Sequence, residues 1–212
     1  MRSGNKKLCL ILSSLAVITA IAPEARAQGK LRGIVRVGSD FGGDKVVQFQ
    51  YSDGSTPSVP AGGGLLVSGG GALELLGSAD QALDLQASVG LKYRTIPPAS
   101  NQNATWARFP VEGLLMYRTP FGLRVGGGAA VHVRNVLEAS GAALNDRVEF
   151  KSAPGFLGQA EYGFGKWALD LRYTMMNYEV SSGGTGTVSA NSLGAGLSYA
   201  FGGSMARSPK TR

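Results

Sequence analysis

The feature that most constrains this chain is a strict two-residue alternation, sustained over segments of ten or more residues. In one of them Leu83, Leu85, Ala87, Val89, Leu91 and Tyr93 share a side, opposite Asp84, Gln86, Ser88, Gly90, Lys92 and Arg94. In another, Trp167, Leu169, Leu171, Tyr173 and Met175 oppose Ala168, Asp170, Arg172 and Thr174. Successive side chains of a strand point to opposite faces, so each segment is a strand with one apolar face and one polar or small face. Glycine supports this, at 32 of 212 residues. Each interior glycine costs a helix ~1 kcal/mol, which excludes a helix bundle. Beyond the N-terminus no apolar run reaches the ~18–20 residues of a spanning helix. A hydrophobic fraction of 43% excludes intrinsic disorder. The class is all-β.

Eight strands are expected, at 30–41 (extended over 46–52), 63–76, 82–96, 104–118, 121–137, 147–163, 166–180 and 187–201. The connections after the second, fourth and sixth are tight. Those after the first, third, fifth and seventh are longer and more polar: 52–62, 97–103, 139–146 and 181–186. Short turns at one end and longer loops at the other describe an antiparallel up-and-down meander. No boundary or internal repeat divides it.

The first 27 residues read differently. Arg2, Lys6 and Lys7 precede an apolar stretch from Leu8 to Ala22, Pro23 ends it, and Ala25-Arg26-Ala27 follows. This is the pattern of a secretory signal peptide cleaved after Ala27, with Ala25 and Ala27 as the small residues of the site. The competing reading is a single N-terminal anchor helix. The expected organisation is therefore a leader over 1–27, a barrel over 28–201 and a polar tail over 202–212. Cys9 leaves with the leader, so the mature chain has no thiol chemistry. The formal charge of +7 is also misleading. Four of 21 basic and one of 14 acidic residues lie in the leader, and Arg207, Lys210 and Arg212 lie in the tail. Residues 28–206 keep 14 basic against 13 acidic groups, without the basic stripe that nucleic-acid binding needs.

Alternation alone leaves open which face is inside. A soluble lipocalin-type barrel points its apolar face inward. Three features favour the inverse. The apolar faces run five or six residues without a charge, matching the ~9–11-residue tilted strand that crosses a bilayer. The polar faces are rich in Gly, Ala and Ser, which suits a narrow filled lumen. Aromatic residues gather at the short-turn end, at Tyr117, Phe121, Tyr162, Phe164, Trp167, Tyr199 and Phe201, as an interfacial girdle does. The expected fold is an eight-stranded antiparallel up-and-down transmembrane β-barrel.

The last strand, Gly194-Ala195-Gly196-Leu197-Ser198-Tyr199-Ala200-Phe201, resembles the C-terminal β-signal read by the outer-membrane assembly machinery. Gly196, Tyr199 and Phe201 fit it. Gly194 stands where a polar residue is usual, and eleven residues follow Phe201. With the leader and eight strands, the chain resembles the small outer-membrane barrels of the OmpA- and OmpX-like superfamily. That resemblance implies location in the outer membrane of a Gram-negative bacterium. It also implies partners in lipid, lipopolysaccharide and the assembly machinery, and a monomeric state. It implies no cofactor.

Enzymatic chemistry finds little support. His132 begins Val131-His132-Val133-Arg134-Asn135, which resembles the His-x-Ser-Asn motif of lipid A deacylase barrels at its first and fourth positions. Arg134 stands where the serine nucleophile belongs, so the attacking hydroxyl is missing. A single histidine and no mature cysteine leave no metal cluster. Gly126-Gly127-Gly128 lies within a strand and lacks the Lys-Ser/Thr of a phosphate loop.

What remains is the set of charges expected on the inward faces. They are Arg32, Arg36, Glu74, Asp84, Lys92, Arg94, Arg108, Glu112, Arg124, Arg134, Lys151, Glu161, Asp170 and Arg172, beside His132. An eight-stranded barrel has room inside for side chains only, so these charges should pair. Glu74, Asp84, Glu161 and Asp170 are each expected within reach of Arg32, Arg36, Arg124 or Arg172. The expected function is structural or interactive, with an occluded salt-bridged lumen. The alternatives are a small-solute channel or binding barrel, with anions favoured by the basic excess, and a lipid-modifying enzyme.

Overall fold

The computed structural model describes residues 30–48, 54, 56–78, 81–99, 102–141, 144–182 and 186–205. The leader with Ala25 and Ala27, and the tail from residue 206, lie outside the described residues. The strands in chain order are β1 (Leu31–Phe41), β2 (Lys45–Gln48), β3 (Ser58–Pro60), β4 (Gly64–Gly77), β5 (Ala82–Ala99), β6 (Gln102–Arg118) and β7 (Leu123–Gly141). They continue with β8 (Leu144–Ser152), β9 (Gly155–Phe164), β10 (Trp167–Met175), β11 (Asn177–Val180), β12 (Thr187–Ser189) and β13 (Ser192–Phe201).

Eight of these close a ring of antiparallel pairs. The order is β1–β4–β5–β6–β7–β9–β10–β13, and β13 returns to β1 from Gly33↔Phe201 to Phe41↔Leu193. Closure leaves the ring without an edge strand. At one end the turns are short. Ser78 and Gln81 hydrogen-bond across the first, Thr119 N–H donates to the Leu123 carbonyl in the second, and Gly165 turns the third with φ +66°. At the other end the wall continues upward on one side, where β7 pairs with β8, β8 with β11, and β11 with β12.

The barrel is apolar outside and charged inside. Leu85, Val89, Leu169, Leu171 and Leu193 are 38–60% exposed, whereas Arg32, Asp84, Arg124, Glu161 and Asp170 are at most 4% exposed. A soluble barrel would show the reverse. Around the short-turn end the outward aromatics include Phe121, Tyr162, Phe164, Trp167 and Phe201. Tyr199 meets Trp167 and Phe201 edge-on, at centroid distances of 4.7 and 4.8 Å.

Several expected boundaries move. The 46–52 extension does not prolong β1. Gly42 and Gly43, at φ +119° and +87°, turn the chain into a separate hairpin of β2 with β3. The expected loop over 97–103 is mostly ladder, because β5 reaches Ala99 and β6 starts at Gln102. The sixth expected strand breaks between β8 and β9 at Ala153-Pro154, since proline has no N–H to donate to a ladder.

Candidate functional site: a layered charged lumen

The inward side chains stack in layers set by the strand register. Nearest the short turns, Asp84 accepts from Arg32 at 2.6 Å and from Arg124 at 3.1 Å. Arg124 also pairs with Glu161, which accepts from Gln159 at 2.6 Å. This is one chain of charge-assisted bonds across four strands. One layer up, Arg36 pairs with Asp170 at 2.6 Å, and Ser198 donates to the same carboxylate. Above that, Lys92 meets Asp40 at 2.6 Å and Arg172 meets Glu112 at 2.5 Å, with Ser88 also donating to Glu112. All these charged side chains are at most 5% exposed. Buried charges are tolerated only when paired and hydrogen-bonded, and opposite charges within each layer meet that requirement.

Small residues make the layers fit. A Cβ on Gly196 would stand 2.7 Å from Arg36 Nη2 and 2.9 Å from Asp170 Oδ2, and one on Gly194 would stand 1.9 Å from Asp40 Oδ1. The β-signal resemblance rests partly on Gly196, and a side chain there would also crowd the ion pair that crosses over it.

Three expected members depart from this arrangement. Arg134 is exposed, with φ +52°. Ala107 pairs with Val136 and Phe109 with Val133, so Arg134 and Asn135 together face the single residue Arg108. This is a β-bulge, and its extra residue reverses the facing of everything beyond it. Asn135 thereby enters the interior at 1% exposure, and Arg134 leaves it. Glu74 is half-buried beside a second bulge between Glu74 and Leu76. Its partner is Arg118 at 3.5 Å rather than any of the four expected arginines. Lys151, also expected inside, is exposed.

Sequence reading missed Asp40, Arg118 and the pairing of Lys92. Asp40 has the same parity as Arg32 and Arg36, and Arg118 the same parity as Arg108 and Glu112, so the signal was present for both.

The long-loop end is different in character. Arg108 is fully buried and lies over the Trp106 ring at 4.8 Å. Trp106 stacks on Phe150 at 5.3 Å and adjoins Tyr178. The Tyr178 hydroxyl bonds to His132 Nδ1, so the histidine faces a phenol rather than a serine. Val59 and Ala61, from the β2–β3 segment, are fully buried in this cluster. Arg108 donates to the carbonyls of Ala61 and Gly63. At the opposite end the chain turns inward after β13. Met205 is 1% exposed among Ile34, Ala72, Ala168 and Ala200, with its sulfur 3.3 Å from Arg124 Nη1. The first residues of the expected polar tail therefore pack into the barrel mouth.

No family model and no curated sequence matches the chain. Among solved structures it is similar to Ail, the attachment invasion locus protein of Yersinia pestis, in complex with the heparin analogue sucrose octasulfate. Identity is 11% over 82% of this chain and 99% of that one, with a TM-score of 0.49. It is similar to Neisserial surface protein A at 12% identity over 81% and 97%, TM-score 0.47. It is also similar to the outer membrane protein AlkL, in lipid bilayers, at 14% over 82% and 90%, TM-score 0.37. At these values the eight-stranded barrel described here rests on its own strand pairing and burial.

Proposed function

We propose that this chain is a bacterial outer-membrane β-barrel of structural or interaction type, with a lumen filled by its own side chains and closed at both mouths. The observation that carries this reading is the inverted distribution of polarity. A ring of exposed Leu, Val and Phe surrounds layers of buried ion pairs, which is the arrangement a bilayer solvent demands. Lipid and lipopolysaccharide would contact the outer belt, the assembly machinery would read the last strand, and a monomer suffices because the ring leaves no edge. Met205 closes one mouth and the β2–β3 hairpin the other.

Planar-bilayer recording of the refolded protein tests the closure. The expected trace is flat, and reproducible single-channel steps would favour the solute-channel alternative. Orientation follows from loop length, with the long-loop end outside the cell. A Ser182→Cys variant should therefore react with an impermeant maleimide on intact cells. Labelling only after the outer membrane is permeabilised would invert the topology.

A further inference from the structure

We propose that the cluster of charged and aromatic side chains at the long-loop end binds a small dianion when the chain's own β2–β3 cap, which covers it in this structure, lifts away. The proposal goes beyond a filled structural barrel and assigns that barrel a ligand.

Arg108 is the first reason. It is fully buried, yet its two amino groups donate to main-chain carbonyls of the cap, Ala61 and Gly63, and its remaining hydrogen-bond neighbour is the uncharged Tyr178 hydroxyl. A guanidinium fork matches the two oxygens of a carboxylate or sulfate. Here two uncharged carbonyls take those places, one on each amino group. The nearby carboxylates are already engaged, Asp40 by Lys92 and Glu112 by Arg172. With half-buried Arg94, the cluster holds four cations, Lys92, Arg94, Arg108 and Arg172, against two carboxylates, Asp40 and Glu112, among the described residues. An uncompensated buried charge is costly, and two missing negative charges define the ligand's class.

The second reason is a surplus of donors. Trp106 Nε1, Asn135 Nδ2, Arg94 Nε, Arg108 Nε and both Nε and Nη1 of Arg172 are buried without a hydrogen-bond partner among the described residues, against the two acceptors Asp40 Oδ1 and Asn135 Oδ1 of the same cluster. Buried polar groups ordinarily find partners. Five of these six donors belong to cations or to an indole that can only donate, so donors outnumber acceptors, and such a set suits an acceptor-rich anion and not a metal ion. The β7 bulge is what delivers Asn135 to this layer.

The third reason is how the cap is attached. Gly42-Gly43 precede it and Gly62-Gly63-Gly64 follow it, so both flanks can adopt backbone angles closed to other residues. Among the described residues, and apart from Arg108, the cap region bonds to the opposite side through Asp44 N–H to the Ser189 carbonyl and Ser189 N–H to the Asp44 carboxylate, each 2.8 Å. Lifting the cap exposes Val59 and Ala61, which keeps the closed form dominant. An anion that pairs with Arg108 favours the open form by its differential affinity for it.

The test uses mature protein refolded in detergent micelles, with Trp167→Phe leaving Trp106 as the sole tryptophan. Succinate, at ionic strength held constant with sodium chloride, is the probe. The expected result is a saturable change in Trp106 emission. Arg108→Gln should weaken it by at least about tenfold, the scale of one lost charge-assisted partner. An Asp44→Cys, Ser189→Cys disulfide should abolish the response and reduction should restore it, since the mature chain has no other cysteine. Heat-modifiable electrophoretic migration reports the folded barrel in every variant, so loss of the barrel reading is seen separately. No saturable response from a folded barrel, or an unchanged response in the disulfide-locked form, would overturn the proposal.

Discussion

Asp84→Ala is expected to destabilise the folded barrel by ~3–5 kcal/mol, the range for breaking a buried ion pair from one side. Asp84 is fully buried and accepts from both Arg32 and Arg124. Its loss leaves Arg32 without its carboxylate and leaves Arg124 with Glu161 alone. Glu74→Ala is the matched comparison, since Glu74 is also a carboxylate expected inside. Its contact with Arg118 is long, at 3.5 Å, and the two side chains are 15% and 13% exposed. Its removal should cost at most ~1 kcal/mol, as for weakly held pairs near solvent. Urea unfolding in lipid vesicles, followed by tryptophan emission, measures both. Equal costs for the two variants would show that the layer around Asp84 is not the stabilising unit described here.

Gly128→Val is expected to prevent closure of the barrel. Any Cβ at this position would lie 1.9 Å from the Gly113 carbonyl oxygen and 2.8 Å from Leu114 Cα, both main-chain atoms of β6. No side-chain rotation relieves that contact, so the β6–β7 ladder itself would have to separate. Ordinary overpacking costs ~1–3 kcal/mol, and a clash with backbone should lie at or above that range. Gly126 faces the same wall, with a Cβ 2.2 Å from the Leu115 carbonyl. Glycine kinks of this kind let strands coil tightly enough to close a narrow barrel. Gly113→Ala is the control, because nothing lies within 4 Å of its Cβ position. Refolding yield, read by heat-modifiable migration, should fall sharply for Gly128→Val and stay unchanged for Gly113→Ala. Normal refolding of the valine variant would mean that the triple glycine serves something other than curvature.

The class of fold was legible because alternation is a local property. Leu83 to Arg94 and Trp167 to Met175 declare two faces without any knowledge of what lies across the sheet. Charge-free apolar faces and the aromatic clustering at Tyr117, Phe121, Tyr162, Phe164 and Trp167 added which face points outward. Parity also placed Arg32, Arg36, Asp84, Arg124, Glu161, Asp170 and Arg172 inside, where the structure has them. Parity holds only while the ladder is unbroken. One extra residue in β7 exchanged Arg134 for Asn135, because a bulge is set by the partner strand and leaves no trace in the strand's own pattern, while Glu74 keeps its register with Asp84 and pairs with Arg118. The partners within the lumen are likewise a matter of register around a closed ring, which joins residues as distant as Arg36 and Asp170. The two caps are decided further still from local sequence. Val59, Ala61 and Met205 sit in segments that read as polar loop or tail, and they are buried only because a closed barrel offers each mouth an apolar rim and an arginine to cover.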